Sequence, residues 1–164
     1  LLQQKRPNAH TVIVGNNRVA YGKQLPDGKT YKDLMLEQFP LDLSRIHFTD
    51  LLPYSEYLQV LQASSVHVYL TRPFVLSWSM LESLAAGCIV VASNTAPVKE
   101  VIEDGVNGLL VDFFSPPQIC DRICEVLEDP DRMNNIRTKA RETIVERYDL
   151  NKLLPQHLDW MVSS

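Results

Sequence analysis

Short apolar runs alternate with amphipathic stretches along most of the chain. The apolar runs, at residues 11–15, 45–48, 66–70, 88–92 and 107–112, each contain at least two Val, Ile, Leu or Phe side chains. The stretches between them repeat apolar side chains every three or four positions, the period of a helix with one buried face. Strands that alternate with helices pair in parallel, so the pattern predicts an α/β protein with a Rossmann-like, doubly wound parallel sheet.

The segments between the predicted strands are expected to be helices and loops of the same single domain. Helices are expected at residues 30–39, 53–62, 79–86, 95–105, 115–128, 131–148 and 150–161. Residues 16–29 form a polar loop with glycines and a proline. The chain shows no internal repeat or linker, so residues 1–164 are predicted to form a single domain. Its first seven residues look like the last turns of a helix, which suggests a domain truncated at its N-terminal edge.

The segment at residues 72–94, R-P-F-V-L-S-W-S-M-L-E-S-L-A-A-G-C-I-V-V-A-S-N, has the most informative local pattern. Ser79 and Glu82 have the spacing of a capping box, which predicts a helix that starts at Ser79. Gly87 suits the positive φ at which a helix ends. Residues 88–92 are continuously apolar, as expected of a parallel strand covered on both faces. A helix that follows a strand and a loop presents free amides, which attract phosphate.

Ligands of open parallel sheets bind beyond the carboxyl ends of the strands. Residues 71–79 and 93–100 follow successive predicted strands, so we expect these two loops to lie side by side at that edge. A small-molecule site is therefore predicted there.

Composition excludes several other classes. The 164 residues have a formal net charge of −4, whereas a nucleic-acid-binding domain is usually basic. No apolar run approaches the roughly 20 residues of a transmembrane helix. The three cysteines, Cys88, Cys120 and Cys124, are predicted to be reduced and buried, which favours a cytoplasmic protein. No His or Cys stands at metal-ligand spacing near them, so no metal is expected.

The run L-E-S-L-A-A-G-C-I-V-V-A-S-N at residues 81–94, Glu100, and D-G-V-N-G-L-L-V at residues 104–111 carry a family resemblance. They resemble the signature E-G-F-G-L-x-x-x-E-A-M-A-x-G-x-P-V-V-A-S, a later Glu, and D-G-x-x-G-x-L-V of retaining group 1 glycosyltransferases with the GT-B fold. The resemblance covers nearly the whole chain. It implies the C-terminal domain, which binds the nucleotide-sugar donor.

The resemblance also implies an activity. The full-length protein would move a hexose from a nucleotide-diphosphate sugar to an unknown acceptor with retention, without metal or cofactor. The N-terminal acceptor lobe is absent from this sequence, so the isolated chain is expected to be inactive. None of the four histidines matches a family catalytic motif, and the catalytic residues stay unassigned.

Site residues follow from the resemblance position by position. Glu82 matches the second signature Glu, which holds the ribose hydroxyls of the donor. Ser77 and Trp78 occupy the turn whose backbone amides meet the distal phosphate. Arg72 is the nearest cation to that phosphate, or simply a solvated side chain. Phe74 and Trp78 form a platform for the sugar or base, or pack into the protein.

The neighbouring loops supply further candidates. Asn94 and Thr95 open the loop after the strand at residues 88–92, and Thr95 is placed to cap the next helix. Glu100 holds the edge of the sugar or complements the dipole of a helix N-terminus. Gly15 resembles the first glycine turn of a nucleotide-binding fold.

Two departures from the signature keep other functions open. Phe74 stands where the family has its first Glu, and Val75 and Ser77 replace glycines. The diphosphate-binding cations and the central strand of the family's sheet would precede residue 1, so the sheet is expected to have a gap or to take a strand from elsewhere. One alternative is a non-catalytic GT-B-like lobe that binds a nucleotide or a partner, which Phe74 favours. A second is a nucleotide-sugar epimerase.

Overall fold

The computed structural model of the protein describes residues 1–19 and 22–163. Ala20 and Tyr21 belong to the loop predicted at residues 16–29 and, like Ser164, lie outside the described residues.

The described residues form five strands and eight helices, in the alternation that the apolar pattern predicts. The strands are β1 (Thr11–Val14), β2 (Ile46–Thr49), β3 (Val66–Tyr69), β4 (Ile89–Ser93) and β5 (Leu109–Val111). The helices are α1 (Leu2–Lys5), α2 (Tyr31–Gln38), α3 (Tyr54–Ala63), α4 (Trp78–Ala85), α5 (Ala96–Lys99), α6 (Pro116–Glu128), α7 (Asn134–Arg147) and α8 (Leu150–Ser163). A single 3-10 turn precedes β2.

The chain divides into two compact units, Leu1–Leu58 and Gln59–Ser164, with the boundary inside α3. In the first unit β1 pairs with β2 in parallel. In the second unit β3, β4 and β5 form a parallel sheet in that order. The α/β fold with parallel strands is therefore confirmed. The predicted gap in the sheet and the single domain over residues 1–164 stay predictions.

Strand β4 is the centre of the second unit. All five of its residues are buried, because β4 lies between two strands and contacts α4, α6 and α7. The continuous apolar run thus predicted the environment of this strand correctly. The most deeply buried large side chains of the unit, Met80 and Leu84, come from α4 and pack into the same core cluster.

The N-cap of helix α4 lies two residues earlier than the sequence predicts. Its N-cap is Ser77, whose Oγ accepts a hydrogen bond from the Ser79 N–H at 3.2 Å. The predicted capping box of Ser79 and Glu82 is therefore wrong. Two serines in S-W-S both suit an N-cap, and the tertiary structure selects the first because the Ser77 N–H donates to the Tyr69 hydroxyl at 3.0 Å.

The end of α4 follows the prediction. Gly87 has a φ of +81°. The Gly87 N–H donates to the Leu84 carbonyl at 3.1 Å, and the Cys88 N–H donates to the Ser83 carbonyl at 3.0 Å. This pair of bonds is a Schellman motif, which satisfies carbonyls at the helix end and turns the chain into β4.

The segment between β4 and β5 is the largest departure from the predicted elements. Helix α5 ends at Lys99 instead of near residue 105, and β5 begins at Leu109 instead of 107. The buried Asn107 side chain explains both differences. Its Oδ1 accepts from the Glu103 N–H at 2.8 Å, and its Nδ2 donates to the Val101 carbonyl at 2.9 Å. These bonds hold the chain in a compact turn in place of helix or strand.

One further sequence prediction can be compared with the second unit. The three cysteines are free and buried, as predicted. Helix α8 has no buried residue, although it carries six large exposed apolar side chains: Leu150, Leu154, Leu158, Trp160, Met161 and Val162. Across the described residues, every helix is too short or too polar to cross a lipid bilayer.

We expect Gly87→Ala to lower the free energy of unfolding by about 1–2 kcal/mol, because an L side chain at positive φ is strained. Urea denaturation followed by circular dichroism measures the change. Gly22→Ala is the matched control, since the φ of Gly22 lies outside the left-handed range and its new Cβ would meet Val19 Cγ1 at 3.5 Å, an ordinary contact. Equal effects of the two substitutions would contradict the role of Gly87.

Burial lowers the pKa of His67, which lies in β3 opposite Val90. Just below the ordinary value of 6.5, the unfolded chain therefore binds more protons than the folded chain, and the free energy of unfolding decreases as the pH falls. We expect His67→Gln to lose less stability than the wild type between pH 7.5 and 5.5 in urea titrations. An equal loss of stability in His67→Gln and in the wild type would refute this origin.

Candidate functional site

The loop that follows β3 is hydrogen-bonded to the end of β4. The Thr71 N–H donates to Ser93 Oγ at 2.8 Å, and Ser93 is the fully buried last residue of β4. On the other side of β4, the Asn94 N–H donates to the Val111 carbonyl at 2.7 Å. Because β3, β4 and β5 are parallel neighbours, their carboxyl ends share one edge of the sheet. The expectation that residues 71–79 and 93–100 lie side by side is therefore confirmed.

The β3–α4 loop, residues 70–77, is held at several points. Tyr69, the last residue of β3, accepts the Ser77 N–H with its hydroxyl. Leu76 packs against the hydrophobic core. Thr71 Oγ1 donates to the Arg72 carbonyl at 2.8 Å. The loop is therefore fixed at both ends, while Arg72 and its next three neighbours are exposed to solvent.

The first turn of α4 contains the predicted phosphate-binding turn. Ser77 Oγ lies 2.9 Å from Ser79 Oγ and accepts the Ser79 N–H. The Ser77 N–H is directed to Tyr69, so the Trp78 amide is the better placed of the two predicted amides for an anion. The positive end of the α4 dipole lies at the same place. The role of these amides stays a prediction.

Glu82 lies four residues after Trp78 on α4, and residues with this spacing are neighbours on a helix surface. Glu82 is half-buried, whereas Trp78 is 79% exposed. The opposite side of the helix carries the buried residues Met80, Ser83 and Leu84. The predicted ribose ligand is thus one helical turn from an exposed indole, on the side of α4 away from the core.

The aromatic side chains of the loop project into solvent. Phe74 is 65% exposed and its neighbour Val75 is 78% exposed. These exposures argue against burial of Phe74 and Trp78 in the core. A platform for the sugar or base stays a prediction.

The loop after β4 contains the other candidates of the second unit. Asn94 is exposed and Thr95 is partly buried. Thr95 stands at the N-cap of α5, but its side chain makes no capping bond. Within the described residues, Thr95 Oγ1 is buried without a hydrogen-bond partner. A bound hydroxyl or amide group would satisfy this oxygen.

Glu100 does not complement a helix N-terminus, so that alternative is wrong. It is the C-cap of α5, because the short helix ends at Lys99, and it is exposed. The negative end of a helix does not stabilise a carboxylate. Contact with a ligand remains the other predicted role of Glu100.

Gly15 lies in the first unit, directly after β1. Its φ is +132°, and its N–H donates to the Thr49 carbonyl at 3.1 Å. The likeness of Gly15 to the glycine turn of a nucleotide-binding fold stays a prediction.

Sequence analysis missed the two polar residues that organise the site. Tyr69 and Ser93 end β3 and β4, and each accepts a backbone N–H of the β3–α4 loop. Their only signal in the sequence is a polar group at the last position of an apolar run, which does not reveal its partner.

Other features of the second unit lie away from these loops. A groove of about 460 Å³ is lined by Gly87 and by residues of α7, including Arg137 and Val145. It lies at the opposite end of α4 and contains none of the predicted site residues. Among the described residues, no three His, Cys, Asp or Glu side chains form a cluster suited to a metal ion.

Comparison with known families gives one match over most of the chain. The model of the family described as glycosyl transferases group 1 matches residues 1–143. Among characterised proteins, the alpha-maltose-1-phosphate synthase of Mycolicibacterium smegmatis is 27% identical over 116 residues, which is 67% of this chain and 30% of that enzyme. The chain thus spans less than a third of the length of this relative.

Solved structures give the same fold. The crystal structure of Anabaena HepE in complex with UDP has a TM-score of 0.84 and 24% identity, and the match covers 99% of this chain and 43% of HepE. The C-terminal domain of the group 1 glycosyl transferase LpcC from Francisella tularensis has a TM-score of 0.73 and 22% identity, with 91% of this chain and 74% of that chain covered. The fold is therefore the Rossmann-like α/β fold found in GT-B glycosyltransferases.

We expect Tyr69→Phe to release the β3–α4 loop without unfolding the protein, because it removes only the acceptor of the Ser77 N–H. Hydrogen exchange should show faster exchange of the Ser77 amide, while the amides of β4 stay protected. Tyr31→Phe removes a hydroxyl that donates to the Lys23 carbonyl in the first unit, and it should leave Ser77 unchanged. Unaltered exchange at Ser77 in Tyr69→Phe would show that Tyr69 does not hold the loop.

Proposed function

Since the chain belongs to the glycosyl transferases group 1 family, we propose that its second unit holds the sugar donor of a glycosyl transfer reaction. The donor would be a nucleoside-diphosphate hexose, bound at the carboxyl edge of the sheet formed by β3, β4 and β5. The full-length protein would supply the acceptor-binding lobe, and this chain would be the C-terminal, donor-binding domain. Its three free cysteines suit the reducing cytoplasm.

The observation that supports the proposal most strongly is the hydrogen bond between Thr71 and Ser93. It ties the loop that carries Arg72 and Phe74 to the last residue of β4, directly before Asn94 and Thr95. In the proposal, the Glu82 carboxylate, the α4 amides and the exposed Arg72 act together at this edge. Anabaena HepE, which has the same fold, was crystallised with UDP and with UDP-glucose.

Each group has a defined role in this proposal. The Glu82 carboxylate accepts hydrogen bonds from the two ribose hydroxyls, because an ionised carboxylate has two acceptor oxygens. The Trp78 amide and the positive end of α4 face the distal phosphate. Arg72, which is exposed on the same loop, contributes a positive charge. The buried hydroxyl of Thr95 binds a polar group of the donor.

The reaction would release a nucleoside diphosphate. Charge develops on its leaving oxygen as the bond to the sugar breaks, and preorganised amides stabilise that charge in the transition state. Transfer would proceed with retention and without a metal ion, as the family resemblance implies. The group that activates the acceptor would lie outside residues 1–164, so this chain by itself would bind the donor and transfer nothing.

A second candidate function is a lobe that binds a nucleotide but has lost transfer activity. The exposed Phe74 favours it, because a phenyl ring cannot replace the hydrogen bonds of the Glu that the family signature has at this position. Assay of the full-length protein with a radiolabelled donor distinguishes the two functions. Release of the diphosphate together with a glycosylated product supports transfer, whereas diphosphate binding without product supports the second candidate.

Titration calorimetry with UDP, GDP and ADP tests the site. We expect one of these nucleotides to bind, and Glu82→Ala to weaken its binding about tenfold or more, the order expected of hydrogen bonds to a charged group. Glu56→Ala, which removes an exposed carboxylate from the first turn of α3, should leave binding unchanged. If none of the three nucleotides binds, or if Glu82→Ala binds as tightly as the wild type, the proposed site is wrong.

A further inference from the structure

The β3–α4 loop and the start of α4 present apolar side chains to solvent. Phe74, Val75 and Trp78 are 65–79% exposed, although Leu76 between them packs on the core. The hydrogen bond from Ser77 to Tyr69 fixes the backbone between these side chains. Exposed apolar groups on an anchored segment at a sheet edge are typical of a binding surface.

The hydroxyl groups of the same segment have partners within the protein. Thr71 Oγ1 donates to the Arg72 carbonyl, and Ser77 Oγ and Ser79 Oγ bond to each other. Ser83 Oγ donates to the Ser79 carbonyl at 2.5 Å. What the loop offers to a ligand is therefore mainly apolar surface, with Arg72 as its charged side chain.

This apolar surface continues to Glu82. Trp78 and Glu82 are one helical turn apart on α4, so the indole lies beside the carboxylate that we propose as the ribose ligand. The sugar of a nucleotide donor is joined to the ribose through two phosphates only. A donor whose ribose is held by Glu82 and whose phosphate faces the α4 N-terminus would bring its hexose to the same loop.

From these observations we infer that the donor carries a deoxy sugar, a hexose in which hydrogen or a methyl group replaces a hydroxyl on the edge that meets Phe74, Val75 and Trp78. This inference rests on the proposed function. A hydroxyl pressed against phenyl, isopropyl and indole groups loses its hydrogen bonds to water and gains none. A C–H or methyl edge gains contact area there without that loss.

The test uses the nucleoside diphosphate that binds most tightly among UDP, GDP and ADP. The probes are its glucose or mannose conjugate and the 3-, 4- and 6-deoxy counterparts of that sugar. We expect at least one deoxy sugar to bind about tenfold more tightly than the parent hexose, within the roughly hundredfold by which an apolar site rejects an added hydroxyl.

Substitutions show which side chains cause the preference for a deoxy sugar. Phe74→Ala and Trp78→Ala should reduce the preference to about twofold or less, since each removes one aromatic contact. Phe74→Glu should reverse it in favour of the parent hexose, because a carboxylate accepts hydrogen bonds from hydroxyls. Both aromatic side chains are exposed, so these substitutions leave the core intact. Phe39→Ala and Trp160→Ala remove aromatic side chains that are also exposed elsewhere, and they should keep the wild-type preference.

Three results would overturn the inference. In the first, the diphosphate binds, but the parent hexose conjugate binds as tightly as every deoxy counterpart. This result would leave the proposed function intact. The second is a preference for a deoxy sugar that persists in Phe74→Ala and Trp78→Ala. The third is failure of all three diphosphates to bind, which removes the proposed function and this inference with it.

Discussion

Parallel pairing of β3 with β4 is the constraint on which the candidate site depends. It brings the ends of two strands, 24 positions apart along the chain at Tyr69 and Ser93, to one edge. A buried Ser93 hydroxyl then accepts the Thr71 N–H. Without that pairing the backbone group at Thr71 would lose its partner, and the loop that carries Arg72 and Phe74 would have no fixed position beside the loop that carries Thr95.

The same edge combines two kinds of surface. The start of α4 supplies amides, a helix dipole and the half-buried Glu82, which suit a charged and hydroxylated ligand. Phe74, Val75 and Trp78 supply apolar area directly beside them. A nucleotide sugar has both characters, since its ribose and phosphates need polar partners while a sugar edge with few hydroxyls does not. The division of the loop into anchored polar groups and exposed apolar groups is what gives this site its selectivity in our proposal.

Predictions from short sequence patterns were wrong where a side chain outside the pattern made a hydrogen bond that favoured another structure. Ser79 and Glu82 fit a capping box, but the hydroxyl of Tyr69 fixes the backbone of Ser77 and makes Ser77 the cap. Residues 100–108 have helix and strand character, but the Asn107 side chain bonds to backbone groups and folds them into a turn. Glu100 consequently stands at the wrong end of α5 for the dipole interaction that its sequence position suggested.

The sequence by itself determined the α/β class and the buried strand at β4, because both depend on local periodicity. It also determined the positive φ at Gly87, which depends on backbone sterics, and the family, whose signature lies in one continuous segment. Only the tertiary structure decided which serine caps α4, that Phe74 and Trp78 face solvent, and which hydroxyls hold the loop. Those outcomes depend on hydrogen bonds and packing between residues distant in the chain, and a pattern within one segment carries no information about a partner outside it.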